Sequence, residues 1–333
     1  MCFEGRTSIN AGISFAFHSA RSMRFQRESS LHGSSKVIRK MFSKPNNWLF
    51  AWTNFVNFEF ATTRQKRTTF RLDGNSYSAL EQRQVMTALP AFAIDSGMLY
   101  QIHGVEGNQG QLSEIDLTTR SLNDVGDNAG FKINATGFRS ADGYIYGLDR
   151  SSNELVRIGA NGENETLGTI NGFPTSGSYS GDFGEDGLLY MRNGSSFYGI
   201  NVDTLNVDNV VTASENVNRT YDIAYNPVTG LHYSIRRAGA QSEFISIDLR
   251  SGANEGQVTV INDNLRPSGT YGALFSDASG RVIAANNQSG LYEIDVATGV
   301  AEFAGYSPRA SSNDGAFSAR GTLNLPPVVP MHG

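Results

Sequence analysis

The sequence predicts an all-β fold: a single β-propeller of about five four-stranded blades, with six as the alternative, behind an irregular N-terminal extension. Three observations predict it. A pair of short apolar runs, each closed by a glycine-bearing turn, recurs five times. The closing isoleucines of the copies, Ile115, Ile158, Ile200, Ile247 and Ile294, are spaced by 43, 42, 47 and 47 residues. Residues 91–333 hold 32 of the 36 glycines, as a turn-rich chain requires. Four strands in each period of roughly 40 to 50 residues is the pattern of a propeller blade.

The copy "GYIYGLDRSSNELVRIGANG" at residues 143–162 shows the elements in order. Each copy opens on a glycine: Gly97, Gly143, Gly187, Gly230 or Gly280. Three residues on stands Tyr100, Tyr146, Tyr190, Tyr233 or Ile283, a fixed offset that puts one large side chain on the same strand face each time. The next strand carries Leu112, Leu155, Phe197, Phe244 or Leu291 three residues before its isoleucine. An odd offset in a strand points the two side chains to opposite faces, so this strand is expected to be buried on both. Directly after the isoleucine comes Asp116, Gly159, Asn201, Asp248 or Asp295, which reads as turn chemistry. Upstream of each glycine a short run with an aromatic, Phe92, Phe138, Phe183, Tyr225 or Phe275, supplies the innermost strand, and a polar run after the turn supplies the outermost.

A sixth copy starts at "NDGAFSARGTLNL", with Phe317 and Gly321 in register, and stops at Pro326, Pro327 and Pro330. Proline lacks the ladder amide, so the stub is expected to give one strand that closes the ring on the first blade. The domain reading is therefore a basic extension over 1–87, disordered or spurious, a propeller over 88–325, and a proline-rich linker stub over 326–333.

Residues 1–90 carry 13 Lys/Arg against 5 Asp/Glu, and residues 91–333 carry 14 against 27. The repeats hold one lysine, Lys132, which argues against nucleic-acid binding. With Cys2 the sole cysteine, neither an intrachain disulfide nor a Cys-based zinc site is available. The apolar stretch "NWLFAWTNFVNFEFA" at 47–61 is interrupted by Asn54, Asn57 and Glu59, too short and polar for a membrane span and unconvincing as a signal peptide.

The "LYxID…TG" repeats, "AYNP" at 224–227 and "NDGA" at 313–316 resemble an uncharacterised family of bacterial extracellular β-propeller domains. The resemblance implies an extracellular or cell-surface location and membership of a larger multidomain chain. It implies no activity. It also implies a closing pair of cysteines near positions where this chain has Ile94 and Ser318.

Catalytic machinery is not expected. His103 and His232 sit at different offsets in their copies, so the expectation is two partly exposed strand histidines and neither a metal site nor a triad. Asp182 and Asp222 fall in innermost strands and are expected to line the channel near each other. No cofactor is expected; calcium is the one ion that the turn oxygens of "FGEDG" (183–187, with Asp186), "FSDAS" (275–279, with Asp277) and "NDN" (262–264) would suit. Arg236 and Arg237 form an adjacent basic pair expected in a hairpin turn and suited to an anionic partner. The function expected is a non-catalytic binding, adhesion or scaffolding module for an unknown protein or glycan ligand. The alternative is a propeller hydrolase or lyase with an acidic site at the central channel.

Overall fold

The computed structural model describes residues 89–104, 110–126, 132–174 and 180–323. The calls on the basic extension and on the proline-rich stub lie outside the described residues. Twenty strands are arranged as five antiparallel four-stranded sheets. The first blade joins β1 (Leu99–Gly104), β2 (Gln111–Asp116) and β3 (Ser121–Asp124) to β20 (Ser312–Ala316), in the order β20-β1-β2-β3. The second holds β4 (Ile133–Arg139), β5 (Tyr144–Asp149), β6 (Glu154–Ile158) and β7 (Asn164–Thr169). The third holds β8 (Gly181–Phe183), β9 (Leu189–Asn193), β10 (Ser196–Asn201) and β11 (Asn206–Thr212). The fourth holds β12 (Thr220–Asn226), β13 (Leu231–Ala238), β14 (Gln241–Ile247) and β15 (Val258–Asn262). The fifth holds β16 (Tyr271–Ser276), β17 (Val282–Asn286), β18 (Gly290–Ile294) and β19 (Ala301–Tyr306). The blade number is five, and the sixth copy is the closing strand β20.

The core is divided into five clusters, one for each pair of neighbouring blades. Leu112 of the first blade packs with Ile158 of the second, Leu155 with Ile200 of the third, and Phe197 with Ile247 of the fourth. Phe244 packs with Ile294 of the fifth blade, and Leu291 returns to Ile115 of the first. The three-residue spacing on each third strand thus sends one side chain to each adjoining interface. The large residue of each second strand joins the same scheme: Tyr100, Tyr146, Tyr190, Tyr233 and Ile283 each lie in a different cluster.

One aromatic assignment needs correction. Phe92 is not on an innermost strand, because β20 takes that place; it packs instead on Tyr100 and Phe138 between the first two blades. Phe138, Phe183, Tyr225 and Phe275 lie on the innermost strands β4, β8, β12 and β16. The turn reading of the post-isoleucine position is correct where a side chain exists: Asp116, Asn201, Asp248 and Asp295 each accept the amide two residues on.

Ring closure brings the chain ends of the propeller together. The Ser318 hydroxyl donates to the Ile94 carbonyl across 224 positions of sequence. The family resemblance implies a crosslink near these two positions. In a Cys2→Ser background, Ile94→Cys with Ser318→Cys is expected to oxidise to a single intrachain disulfide. Tying off so long a loop is expected to stabilise the propeller by up to about 5 kcal/mol. Thiol titration and the urea midpoint with and without reductant measure both, and an unpaired double-cysteine chain would contradict this closure.

Candidate functional site

An innermost strand is a sheet edge: one side pairs with its own blade and the other faces the axis, where its amides need acceptors. Three aspartates supply them. Asp182 on β8 accepts the Phe183 amide at Oδ1 (2.8 Å) and the Tyr225 amide of the next blade at Oδ2 (2.8 Å). Asp222 on β12 accepts the Ile223 amide at Oδ1 (2.8 Å). Its Oδ2 accepts the Leu274 amide of β16 (2.6 Å) and, two blades on, the Gly315 amide of β20 (3.1 Å). Asp314 on β20 accepts the Thr136 amide of β4 at Oδ2 (2.6 Å). The second blade uses Asn134, whose Oδ1 accepts the Ala135 amide (2.9 Å).

The structure places Asp182 and Asp222 on neighbouring innermost strands, with the charge of Asp182 acting on Asp222, and Asp314 beside Asp222 on the closing strand. Asp314 stands inside the "NDGA" segment, where only a closing motif was legible. Burial pushes the Asp182 carboxyl up to about 7 against the pull of its two amides. Burial first, and then the charge of the partner carboxyl, raise Asp222 well above the usual range, and burial raises Asp314 likewise. Asp314 Oδ1 is the one oxygen of the three carboxyls with no partner, and the Asp222 and Asp314 carboxyls titrate as a pair that shares a proton.

The turn candidates are occupied by the chain itself. Asp186 accepts the Leu188 amide and the Tyr190 hydroxyl. Asp277 accepts the Ser279 and Arg281 amides at Oδ1 and the Leu323 amide at Oδ2. Asn262 bridges the Asn264 amide and the Gly299 carbonyl. Among the described residues no group of three or more His, Cys, Asp or Glu side chains is placed to hold a metal ion. Arg236 and Arg237 lie on β13 and not in a turn, and Arg236 is tied to Glu243 and Glu215.

The histidines differ from expectation in one case. His103 is partly exposed, and its Nε2 meets the Ser113 hydroxyl at 2.8 Å, which in turn donates to Asp124. The hydroxyl proton is directed at the carboxylate and not at the imidazole, so this chain of contacts is not an activated nucleophile. His232 is not partly exposed but buried between the third and fourth blades against Tyr190 and Tyr225.

The profile of DUF6923, a repeat of unknown function, matches residues 100–320. No curated protein matches the chain in sequence. Among solved structures, the virginiamycin B lyase of Staphylococcus aureus is similar at 13% identity over 62% of this chain and 73% of its own, with a TM-score of 0.38. A gluconolactonase of Xanthomonas campestris is similar at 13% identity over 66% and 80%, with a TM-score of 0.42. TolB of Acinetobacter baumannii is similar at 15% identity over 71% and 58%, with a TM-score of 0.43.

The axial carboxyls carry a pH signature. Their folded values lie above the unfolded one, so the stability they contribute is present at low pH and is lost as pH rises through the folded values. Asp314→Asn replaces one carboxyl of the pair by a neutral amide. The variant is expected to match the parent near pH 4 and to exceed it near pH 8, by about 1.4 kcal/mol for each unit that the pair is raised. Urea midpoints across that range measure the gap; a gap that shrinks with rising pH would contradict the shared proton.

Proposed function

The chain belongs to the DUF6923 repeat family, and from that premise we propose that it is a non-catalytic, extracellular or cell-surface binding module. The observation that carries the reading is a ladder of aromatic rings on the fifth blade. It runs outward from Tyr271 on β16 to Tyr292 on β18 and to Phe303 and Tyr306 on β19, with ring centroids 6.1, 5.8 and 5.0 Å apart. Tyr271 is buried, whereas Phe303 is 55% and Tyr306 76% exposed. Gly290 lets the ladder lie flat, since a Cβ there would meet the Tyr292 ring.

The rings meet edge to face, which holds Phe303 and Tyr306 with apolar surface toward solvent at little entropic cost to a ligand. Such a strip suits the C–H face of a sugar or an apolar side chain of a partner. The sequence already separates an acidic, glycine-rich repeat region from a basic extension, and the family resemblance supports the extracellular placement and the multidomain context. No helix among the described residues is long and apolar enough to cross a membrane. The alternative, a hydrolase or lyase working at the central channel, needs a carboxyl that substrate can reach. Asp222 and Asp314 are buried, Asp182 is half-buried, and all three carboxyls accept backbone amides of neighbouring blades, which supports the binding reading over it.

The test is binding of the full chain to immobilised polysaccharides and extracellular-matrix proteins, compared with Phe303→Ser plus Tyr306→Ser. Both positions are exposed, so the variant is expected to keep the parent's thermal midpoint. Loss of binding by about tenfold is expected, the scale of two stacked rings. Equal binding by parent and variant would overturn the ladder as the contact surface.

A further inference from the structure

A second surface feature lies between the third and fourth blades, away from the aromatic ladder and independent of the reading built on it. The β8–β9 turn, the β12–β13 turn and the chain leaving β14 enclose a pocket of about 200 Å³, lined among others by Glu185, Asp186, Tyr190, Tyr225, His232 and Arg250. It is smaller than the roughly 300 Å³ at which pockets for drug-sized ligands begin. The chemistry of its wall is specific.

His232 is 2% exposed, and neither ring nitrogen makes a hydrogen bond. A buried imidazole without partners is a deficit that folded chains avoid, so its presence in a pocket wall points to a ligand group. Burial pushes the ring down to about 3, so it is neutral at physiological pH. A neutral imidazole keeps one nitrogen as an acceptor. The Phe183 carbonyl acts on the ring without completing a well-formed hydrogen bond; with one nitrogen carrying the N–H, the other is left as an acceptor without a donor.

The charges at the mouth do not balance. Arg250 is held bidentately by Asp248, at 2.9 and 2.8 Å, so that pair is neutral. Glu185 and Asp186 remain. Both act on Tyr225 as negative charges, and Asp186 meets its needs through an amide and the Tyr190 hydroxyl without a cation. The Tyr190 and Tyr225 rings pack on His232 at centroid distances of 5.7 and 5.4 Å and give the cavity its apolar wall.

We propose that this pocket binds a primary ammonium group carried on a short alkyl chain. Glu185 and Asp186 supply the charge, His232 accepts one ammonium N–H, and the tyrosine rings line the methylenes and favour the cation at their faces. The same chemistry is presented by a lysine side chain of a partner protein and by a small free amine. An anion is the wrong sign for the site, because its one guanidinium is already paired.

The test uses the full chain with isotopically labelled histidine, the His232 resonances being assigned by their loss in His232→Phe. That variant keeps an aromatic ring in the stack and removes only the acceptor. Titration with n-butylammonium chloride is expected to shift the His232 resonances saturably at millimolar concentration, and the uncharged 1-butanol is expected not to. Glu185→Gln is expected to weaken binding about threefold, the scale of one solvent-exposed charge. His232→Phe, followed through the Tyr190 and Tyr225 ring signals, is expected to weaken it about tenfold. A lysine-bearing peptide that binds more tightly than n-butylammonium identifies a partner protein as the source, and a peptide that is excluded while n-butylammonium binds identifies a free amine. Equal shifts from n-butylammonium and 1-butanol, an unchanged affinity in Glu185→Gln, or no saturable shift would each overturn the proposal.

Discussion

No blade of this molecule can cover itself. A four-stranded sheet with apolar side chains on both faces needs a neighbour on each side, and only a closed ring gives every blade two. The pair of residues three apart on the third strand is the local device that answers this need. Leu155 faces the third blade and Ile158 the first; Leu291 faces the first and Ile294 the fourth. Burying one such side chain is worth about 1.5–3 kcal/mol, so an open interface would forfeit several of these terms at once. Strand β20 prevents that. By pairing with β1 it joins the last residues of the propeller to its first blade, and Phe317, just beyond it, completes the interface with the fifth.

The same closure creates the axial problem. Innermost strands converge with their free edges toward one another, where there is no room for ladder partners and little for water. A carboxyl has two oxygens that can each accept an edge amide, where the side chain of an asparagine has one. Asp182 and Asp222 each accept their own next amide and also an amide from a following blade, while Asn134 accepts only its own. Asp222 reaches across to both β16 and β20, which ties the closing strand to the blades it closes against. Acidic residues at the centre of a propeller thus have a structural reason to be there, and their presence alone does not argue for catalysis.

Much of this was legible in the residues. The glycine-to-tyrosine offset and the Leu–Ile spacing are strand-periodic signals, and strand period decides which face a side chain takes. Asp116 and Asp295 were legible because an aspartate and the amide it caps lie within one turn. What the period does not contain is register across bulges, such as those in β4, β12 and β16. Nor does it contain contacts between distant positions. The link from Asp314 to Thr136 spans 178 residues and that from Asp277 to Leu323 spans 46, so neither leaves a local trace. His232 was misread for a related reason. Its burial depends on Tyr190 arriving from the preceding blade, and no signal at position 232 announces that neighbour.

Burial moves the ionisable groups of the interior in opposite directions, and the two movements meet. Asp182 is raised to about 7, so its contribution to stability is full at low pH and is lost as pH climbs through that value. His232 is lowered to about 3, so its contribution is full above its unfolded value and is lost as pH falls. Between the two unfolded values the slopes oppose each other, and between the two folded values both side chains are uncharged. The ring therefore keeps these two buried groups free of charge over a broad acidic-to-neutral range, although each would be expensive to bury in its charged form. Glu185 and Asp186, at the mouth of the pocket between the third and fourth blades, are carried by a turn at its margin, where they can meet a ligand without entering the core.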